Sequence, residues 1–194
     1  MVAMAETIDD ELLVGQFNRG DQAEGLDSIK PPFGRAAFDR IVERYAPDVA
    51  ALANRLLGWP GDVEDVTQDV FLSAFLGLKK FRRDCNLKTW LFTITINKCR
   101  SYRYKRKLRR LQTISIEMRP TPAETDSSLI DEEQFARVRY ALARLPARYR
   151  EPLVLRYLQE LPTNEIARIL GVSRNTLNVR LSRARERLRQ KLTQ

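Results

Sequence analysis

Histidine is absent from this chain of 194 residues, and cysteine is scarce. Without histidine, the chain has no Ser-His-Asp or Cys-His catalytic arrangement, no His-containing zinc site and no usual proton shuttle at neutral pH. Two cysteines, Cys85 and Cys99, are too few for a disulfide scaffold or a four-thiolate metal site, and we interpret them as core or loop thiols. A catalytic function is therefore disfavoured and we expect no cofactor, although carboxylate or lysine chemistry stays open.

Long apolar runs are also missing. No stretch approaches the roughly 18 apolar residues that a membrane span needs. The first residues carry Glu6, Asp9, Asp10 and Glu11 in place of the basic and apolar segments of a signal peptide. We expect a cytoplasmic protein without direct membrane insertion.

The charge is divided unevenly along the chain, whose formal net charge is +9. Residues 1–80 hold 8 basic and 14 acidic side chains, whereas residues 81–194 hold 26 and 11. The second part contains two basic clusters: Lys98, Arg100, Arg103, Lys105, Arg106, Lys107, Arg109 and Arg110, then Arg174, Arg180, Arg183, Arg185, Arg187, Arg189 and Lys191. Two separate clusters favour a polyanion such as nucleic acid as partner. Solvated helix faces are the alternative, but such faces usually mix both signs of charge.

Glycine and proline mark the domain boundaries. Residues 78–119 contain neither, which allows a long helix. The following Pro-, Ser- and Thr-containing segment has no apolar periodicity and is typical of a flexible linker. We predict an all-α protein of two small helical domains, residues 1–110 and 132–194, joined by a linker over residues 111–131.

The first domain contains a candidate docking surface. Apolar spacing predicts two amphipathic helices around residues 38–45 and 49–56. Asp62 is expected to cap a third helix, whose inner stripe comprises Val63, Val66, Val70, Ala74 and Phe75. Its outer face comprises Glu64, Asp65, Gln68, Asp69 and an exposed Leu72. An apolar residue within an acidic face indicates docking of a basic partner, with an ordinary solvated face as the alternative.

Residues 89–96 alternate β-branched side chains as a strand would. Because no second convincing strand could pair with them, we predict a helix. On this helix and its continuation, Trp90, Tyr102 and Tyr104 are interleaved with basic side chains, a pattern that can stack unpaired bases and bind phosphates. For Trp90 alone, core packing is the alternative.

The C-terminal part has the pattern of a helix-turn-helix. The apolar helix 165–170 ends at Gly171, which suits a left-handed turn, and Ser173 can cap the next helix. That helix carries Leu177, Leu181, Ala184 and Leu188 on one stripe. Its Asn and Arg side chains suit adenine and guanine edges in the major groove. A helical hairpin with a polar exterior is the alternative.

These motifs together resemble the extracytoplasmic-function (group IV) sigma factors of bacterial RNA polymerase. Residues 62–71 resemble the polymerase-binding segment of region 2. Phe81 and residues 89–97 resemble the segments of region 2 that bind the −10 element. Residues 145–150, 165–167 and 183–188 resemble region 4. The resemblance implies partners: core RNA polymerase, promoter DNA and an inhibitory anti-sigma factor.

The resemblance also implies a role for individual residues. The polymerase would be bound by Glu64, Asp65, Gln68, Asp69, Phe71 and Leu72. The −10 element would be bound by Lys88, Trp90, Asn97, Lys98, Arg100 and Arg103, with the loop 82–88 beside them. The −35 element would be bound by Arg174, Asn175, Thr176, Asn178, Arg180 and Arg183.

The sequence departs from the family pattern at four places. Pro162 stands where a serine cap is common, Glu160 where glycine is frequent, and Asn178 where a basic residue is usual. Proline suits the first turn of a helix, so we expect the fold to persist. Asn178 puts the usual −35 preference in doubt, and the insertion at residues 22–34 has no assigned purpose.

Two other classes of function are open to this sequence. A self-sufficient helix-turn-helix repressor or activator would bind a symmetric operator as a dimer. A magnesium-dependent nucleic-acid-processing enzyme would use Asp62, Glu64, Asp65 and Asp69, but these lie on one regular helix without a second carboxylate cluster near in sequence.

Overall fold

The computed structural model describes residues 2–20, 33–58, 62–112 and 129–193 of the chain. Over these ranges it contains only helices and their connections. The first four are α1 (Val2–Gly20), α2 (Phe33–Leu57), α3 (Val63–Gly77) and α4 (Leu87–Gln112), with a 3-10 turn at Leu78–Lys80. The last four are α5 (Leu129–Ala143), α6 (Ala147–Leu153), which continues as a π-helical turn over Val154–Leu158, α7 (Thr163–Leu170) and α8 (Arg174–Thr193). The all-α prediction is confirmed.

The proposed linker lies between α4 and α5. Residues 113–128 fall outside the described residues, as does the insertion except for its last two residues, which begin α2. Helix α4 extends two residues into the predicted linker, and α5 begins three residues before its end. The domain division stays a prediction, and we refer below to the N-terminal helices α1–α4 and the C-terminal helices α5–α8.

Helix α2 is the centre of the N-terminal core. The two short helices predicted around residues 38–45 and 49–56 are one helix of 25 residues. The separate prediction was wrong because Pro47 lies on the exposed side, where its missing N–H and its ring do not interrupt the buried stripe. Tyr45 and Val49, on either side of it, are both buried.

Helix α1 is held against α2 by polar contacts as well as apolar ones. The Tyr45 hydroxyl donates to the buried Asp10 carboxylate, at 2.6 and 2.7 Å from its two oxygens. Arg44 pairs with Asp9 at 3.2 Å on the same side. A buried carboxylate needs such partners to offset its desolvation, so they fix the register of α1 on α2.

The ambiguous stretch 89–96 is helical, as predicted. Asn86 accepts from the Thr89 backbone N–H at 2.6 Å, which caps the first turn of α4. The threonine hydroxyls of Thr93 and Thr95 donate to carbonyls four residues earlier, so their polar atoms are satisfied within the helix. Leu91, Phe92 and Ile96 are fully buried. Tertiary packing therefore overrides the β propensity of this segment.

The C-terminal helices form the predicted helix-turn-helix. Gly171 is left-handed at φ 65°, and the Thr176 backbone N–H donates to the Ser173 hydroxyl oxygen at 3.2 Å. Leu177, Leu181 and Ala184 of α8 are buried. Pro162 precedes the first residue of α7 in an extended conformation, in agreement with the expectation that it leaves the fold intact.

Glu160 stands where the family frequently has glycine, and its backbone conformation shows why glycine suits this position. Its φ of 53° is left-handed, a conformation that a glycine adopts without a Cβ penalty. We predict that Glu160→Gly raises the free energy of unfolding by about 0.5–1 kcal/mol, the steric gain being partly offset by a more flexible unfolded chain. Urea denaturation followed by circular dichroism measures it. An unchanged or lower midpoint would show that the Glu160 backbone is not strained.

Candidate nucleic-acid interface

The acidic face predicted on α3 is exposed. Glu64, Asp65, Gln68 and Asp69 all face solvent, and Leu72 among them is 59% exposed. Sequence reasoning missed Leu76, one turn further on, which is 70% exposed. We call the set Glu64, Asp65, Gln68, Asp69, Leu72 and Leu76 the α3 surface. Two neighbouring exposed leucines within an acidic face agree with the docking surface predicted here.

Two aromatic residues of α3 lie differently from prediction. Phe71 was assigned to the docking residues, but it is only 7% exposed and its ring lies 6.4 Å from that of Phe38, so it packs into the core and we leave it out of the α3 surface. Phe75 was assigned to the inner stripe, yet it is partly exposed. Its ring still packs edge-on against Phe17 and Phe38. The buried stripe of α3 is therefore rotated toward Phe71.

Asp62 does not cap α3 with its side chain, contrary to prediction. Its carboxylate instead accepts a hydrogen bond from the Tyr102 hydroxyl at 2.6 Å and from Arg106 at 3.0 Å. The hydrogen bond to Asp62 is the main cause that raises the pKa of Tyr102. Asp62 thus joins the start of α3 to the basic half of α4. In the sequence, only the positive charge of Arg106 could have indicated its pairing with Asp62, because the two residues are 44 positions apart.

Some of the residues predicted to bind the −10 element are exposed on α4, and others form contacts within the chain. Asn97 is exposed and Lys98 is partly exposed. Lys88 pairs with Asp48 at 2.6 Å and lies over the Phe92 ring. Trp90 is half-buried, with its ring 5.0 Å from that of Phe81, so the core-packing alternative describes most of its surroundings.

Two arginines of α4 have specific partners within the chain. Arg100 binds the Glu151 carboxylate of α6 with two hydrogen bonds of 2.9 and 2.6 Å, and the hydrogen bond to Glu151 raises the pKa of Arg100. Arg103 donates to the Leu56 carbonyl at 3.0 Å, at the end of α2. Burial is the main cause that lowers the pKa of Arg103. Arg103 thus fastens α4 to α2, while Arg100 reaches the C-terminal helices.

The predicted −35 residues share the outer side of α8. Arg174, Asn175, Thr176, Asn178 and Arg183 are exposed, and Arg180 is partly buried. The Thr176 hydroxyl lies 2.9 Å from that of Ser173 within the cap. Sequence reasoning missed Val179, which is 49% exposed between these polar residues. An exposed β-branched side chain there can contact the methyl group of thymine.

Within residues 2–20, 33–58, 62–112 and 129–193, no three His, Cys, Asp or Glu side chains are grouped as a metal site requires. Cys99 is buried, and burial raises the pKa of its thiol to about 12. Cys85 is half-buried, and both cysteines are free thiols. None of the described helices is long and apolar enough to cross a membrane.

Comparison with known proteins defines the class. Residues 41–110 match Sigma-70 region 2, and residues 135–188 match Sigma-70, region 4. The first match contains the α3 surface and nearly all of α4, and the second contains the helix-turn-helix. The chain is thus built from the two helical regions of sigma-70 proteins.

Relatives over the full length narrow the assignment. The chain is 30% identical to the ECF RNA polymerase sigma-E factor of Escherichia coli K12 over 97% of both chains. It is 28% identical to the ECF RNA polymerase sigma factor SigW of Bacillus subtilis, over 80% of this chain and 89% of SigW. The chain belongs to the family of ECF RNA polymerase sigma factors, and it directs transcription initiation.

Two solved structures are similar in fold. CnrH, in complex with the cytosolic domain of CnrY, is 30% identical with a TM-score of 0.65, covering 95% of this chain and 97% of CnrH. The sigma factor RpoE of Bartonella quintana, in complex with the anti-sigma factor NepR, is 30% identical with a TM-score of 0.66, covering 80% of this chain and 96% of RpoE.

Proposed function

We propose that the sigma factor divides its work among three surfaces. The α3 surface binds core RNA polymerase, α4 from Lys88 to Arg103 with the loop before it binds the −10 element, and the outer side of α8 reads the −35 element. The protein supplies binding and strand separation, and the polymerase supplies the chemistry. No cofactor enters this proposal.

The observation that carries the proposal is the separation of surfaces of opposite character. The α3 surface is acidic with two exposed leucines, whereas α8 and the distal half of α4 are basic. An acidic and apolar surface suits a basic protein partner, and basic helices suit phosphates. Both kinds of surface are needed by a protein that joins an enzyme to DNA.

The −10 contacts divide into two kinds. Asn97 and Lys98 lie where a DNA strand can reach them, and we assign them direct contacts. Trp90 packs on Phe81 and lies against Gly77, where an added Cβ would come within 3.3 Å of the indole ring. We assign Trp90 the positioning of the loop 82–86, which leaves Phe81 and leads into α4.

An anti-sigma factor is the proposed regulatory partner. Its support is the solved sigma factor RpoE of Bartonella quintana, which is bound to the anti-sigma factor NepR. The inhibitor of this chain would have to compete with the polymerase or with DNA for the surfaces above.

A pull-down from the native host tests the proposal against its rivals. The tagged full-length chain should retain the large catalytic subunits of core RNA polymerase. A dimeric helix-turn-helix regulator would instead give a symmetric footprint on duplex DNA without polymerase. A nuclease would cleave DNA in magnesium and lose that activity on Asp65→Ala.

The basic end of α4 gives a prediction on salt dependence. Lys107 and Arg109 are exposed, and replacing both with alanine should remove about two phosphate contacts. The slope of log affinity against log salt, measured for the holoenzyme on promoter DNA, should become shallower by about 1.5–2. The matched control replaces Arg35 and Arg40, which are exposed on α2 outside both basic clusters. Equal slopes for the two double variants would show that this end of α4 does not contact phosphates.

A further inference from the structure

The distal part of α4 carries a row of exposed side chains that extends beyond Arg103, the last residue assigned to the −10 element. The row consists of Asn97, Ser101, Tyr104 and Leu108, and all four side chains are exposed. Their spacing of four, three and four residues places them on one side of the helix. We call this row the α4 stripe. It begins at a residue already assigned to DNA and continues without interruption for three turns.

Basic side chains border the α4 stripe on both sides. With 3.6 residues per turn, Lys98 and Lys105 lie along one side of the stripe, and Arg100 and Lys107 lie along the other. Lys105 and Lys107 are exposed. Helix α4 contains no acidic residue at all between its two ends. The stripe is therefore a narrow row of uncharged side chains between two rows of cations.

Tyr104 is the accessible one of the three aromatic residues that were considered on α4 for base stacking. The Trp90 ring lies 5.0 Å from that of Phe81, and the Tyr102 hydroxyl is bound to Asp62 at 2.6 Å. Tyr104 is 70% exposed. Within the ranges that the structure describes, no other ring and no cation packs on it. Its aromatic face is thus open to a partner.

The surroundings of Tyr104 favour a nucleic-acid strand as that partner. Proteins that bind single strands combine cations that follow the phosphates with aromatic rings on which the bases stack. Every base has a π-face, but in a duplex that face is already covered by the neighbouring bases. An unpaired base can therefore stack on Tyr104, whereas a paired base cannot. The cations on both sides of the ring suit the phosphates of the same strand.

We propose that Tyr104 stacks on an unpaired base of the opened DNA strand, while Lys105 and Lys107 bind the phosphates beside it. This inference rests on the proposed assignment of α4 to the −10 element, and it extends that site from Arg103 to Leu108. Because only the opened strand offers a free base, the stacking lowers the free energy of opened DNA and leaves that of the duplex unchanged. Tyr104 would in this way favour strand separation as well as binding.

The test uses the free full-length chain, because Tyr104 is exposed without any partner present. The affinity is measured by fluorescence anisotropy for a labelled single strand of about 20 nucleotides and mixed sequence, and for the same strand in a duplex. The variants are Tyr104→Ala, which removes the ring, and Tyr104→Phe, which keeps it. The matched control is Tyr140→Ala, since Tyr140 is 53% exposed but lies on α5, away from the α4 stripe.

We expect Tyr104→Ala to bind the single strand about tenfold more weakly than wild type, a size typical of one stacked base. Its affinity for the duplex should stay within about twofold of wild type, since the base faces there are covered. Tyr104→Phe and Tyr140→Ala should bind both forms of DNA within about twofold of wild type, the first because the ring is kept and the second because it lies elsewhere.

A strand of the same length built from abasic sites separates the bases from the phosphates. On this strand, the tenfold ratio between wild type and Tyr104→Ala should fall to about twofold or less, because no base remains to stack. A ratio that stayed near tenfold would place Tyr104 on the sugar-phosphate backbone and overturn the proposal.

Four other results would also overturn the proposal. They are wild-type affinity of Tyr104→Ala for the single strand, an equal loss on single strand and duplex, a loss in Tyr104→Phe as large as in Tyr104→Ala, and no measurable binding of the single strand by wild type. Weaker retention of core polymerase by Tyr104→Ala with unchanged DNA binding would make the α4 stripe a protein-docking surface instead. Failure of the sigma-factor assignment is scored separately, as the absence of promoter-specific transcription by the wild-type chain with core polymerase.

Discussion

Replacing Leu72 with lysine is expected to weaken binding to core RNA polymerase by about 2–4 kcal/mol, the range of a central interface residue. This corresponds to a loss of roughly 30- to 1000-fold in affinity. Leu72 is the apolar centre of the acidic α3 surface, so the change removes buried apolar area and adds positive charge facing a basic partner. Titration of labelled full-length chain with purified core polymerase measures the effect.

Leu12 provides the matched control for this experiment. It is 51% exposed on α1, close to the 59% of Leu72, but it lies outside the α3 surface. Leu12→Lys should bind polymerase within about twofold of wild type, since isolated surface substitutions usually change little. If both variants bound as wild type does, the α3 surface would not be the docking site.

The second large effect is expected at the −35 element. Asn178→Ala should lower discrimination at one base pair by about 1–3 kcal/mol, because a bidentate amide contact to adenine is lost. Asn178 is exposed on the outer side of α8, away from the buried Leu177 and Leu181. The measurement compares holoenzyme affinity for the promoter with that for promoters changed at single −35 positions.

Asn164→Ala is the control for this change, since Asn164 is an exposed asparagine on α7 and not on α8. It should leave discrimination unchanged. Equal losses on matched and mismatched promoters in Asn178→Ala would contradict direct base reading. If discrimination were lost only at a thymine, whose methyl group an apolar side chain contacts, Val179 and not Asn178 would be the residue that reads the base.

Local patterns in the sequence were enough to predict much of the fold. The left-handed Gly171, the cap at Ser173 and the buried stripe of α8 depend on neighbours within one turn or two, and the structure has them as predicted. The helix at residues 89–96 was also predicted correctly, but only because the sequence offers no second strand that could pair with this segment. Such features are fixed by backbone geometry and periodicity, which a single sequence displays.

Apart from the division of α2 at Pro47, the errors share a different cause, which is contact between distant residues. The Asp62 side chain was expected to cap its own helix, but it binds Tyr102 and Arg106, about 40 residues later. Phe71 is buried because its side of α3 packs against Phe38 of α2. Glu151 carries no local sign of its role, since its partner Arg100 lies on another helix. Long-range pairing of this kind is not visible in spacing or propensity.

The family and the order of its motifs were nonetheless accessible from the sequence. The acidic helix, the basic α4 and the helix-turn-helix occur in the same order as the two regions matched at residues 41–110 and 135–188. The sequence did not show which predicted site residues are free to bind a partner. Within the chain, Lys88 pairs with Asp48, Arg100 binds Glu151 and Arg103 donates to the Leu56 carbonyl. Each of these partners lies on another helix.

Transcription reconstituted from purified parts tests the central claim most directly. Core polymerase from the native host is combined with the full-length chain and genomic fragments that include the region upstream of its own coding sequence. We expect transcripts with defined start sites that appear only when the chain is present and that are lost with Leu72→Lys but not with Leu12→Lys. Absence of any promoter-specific transcript with the wild-type chain would contradict it.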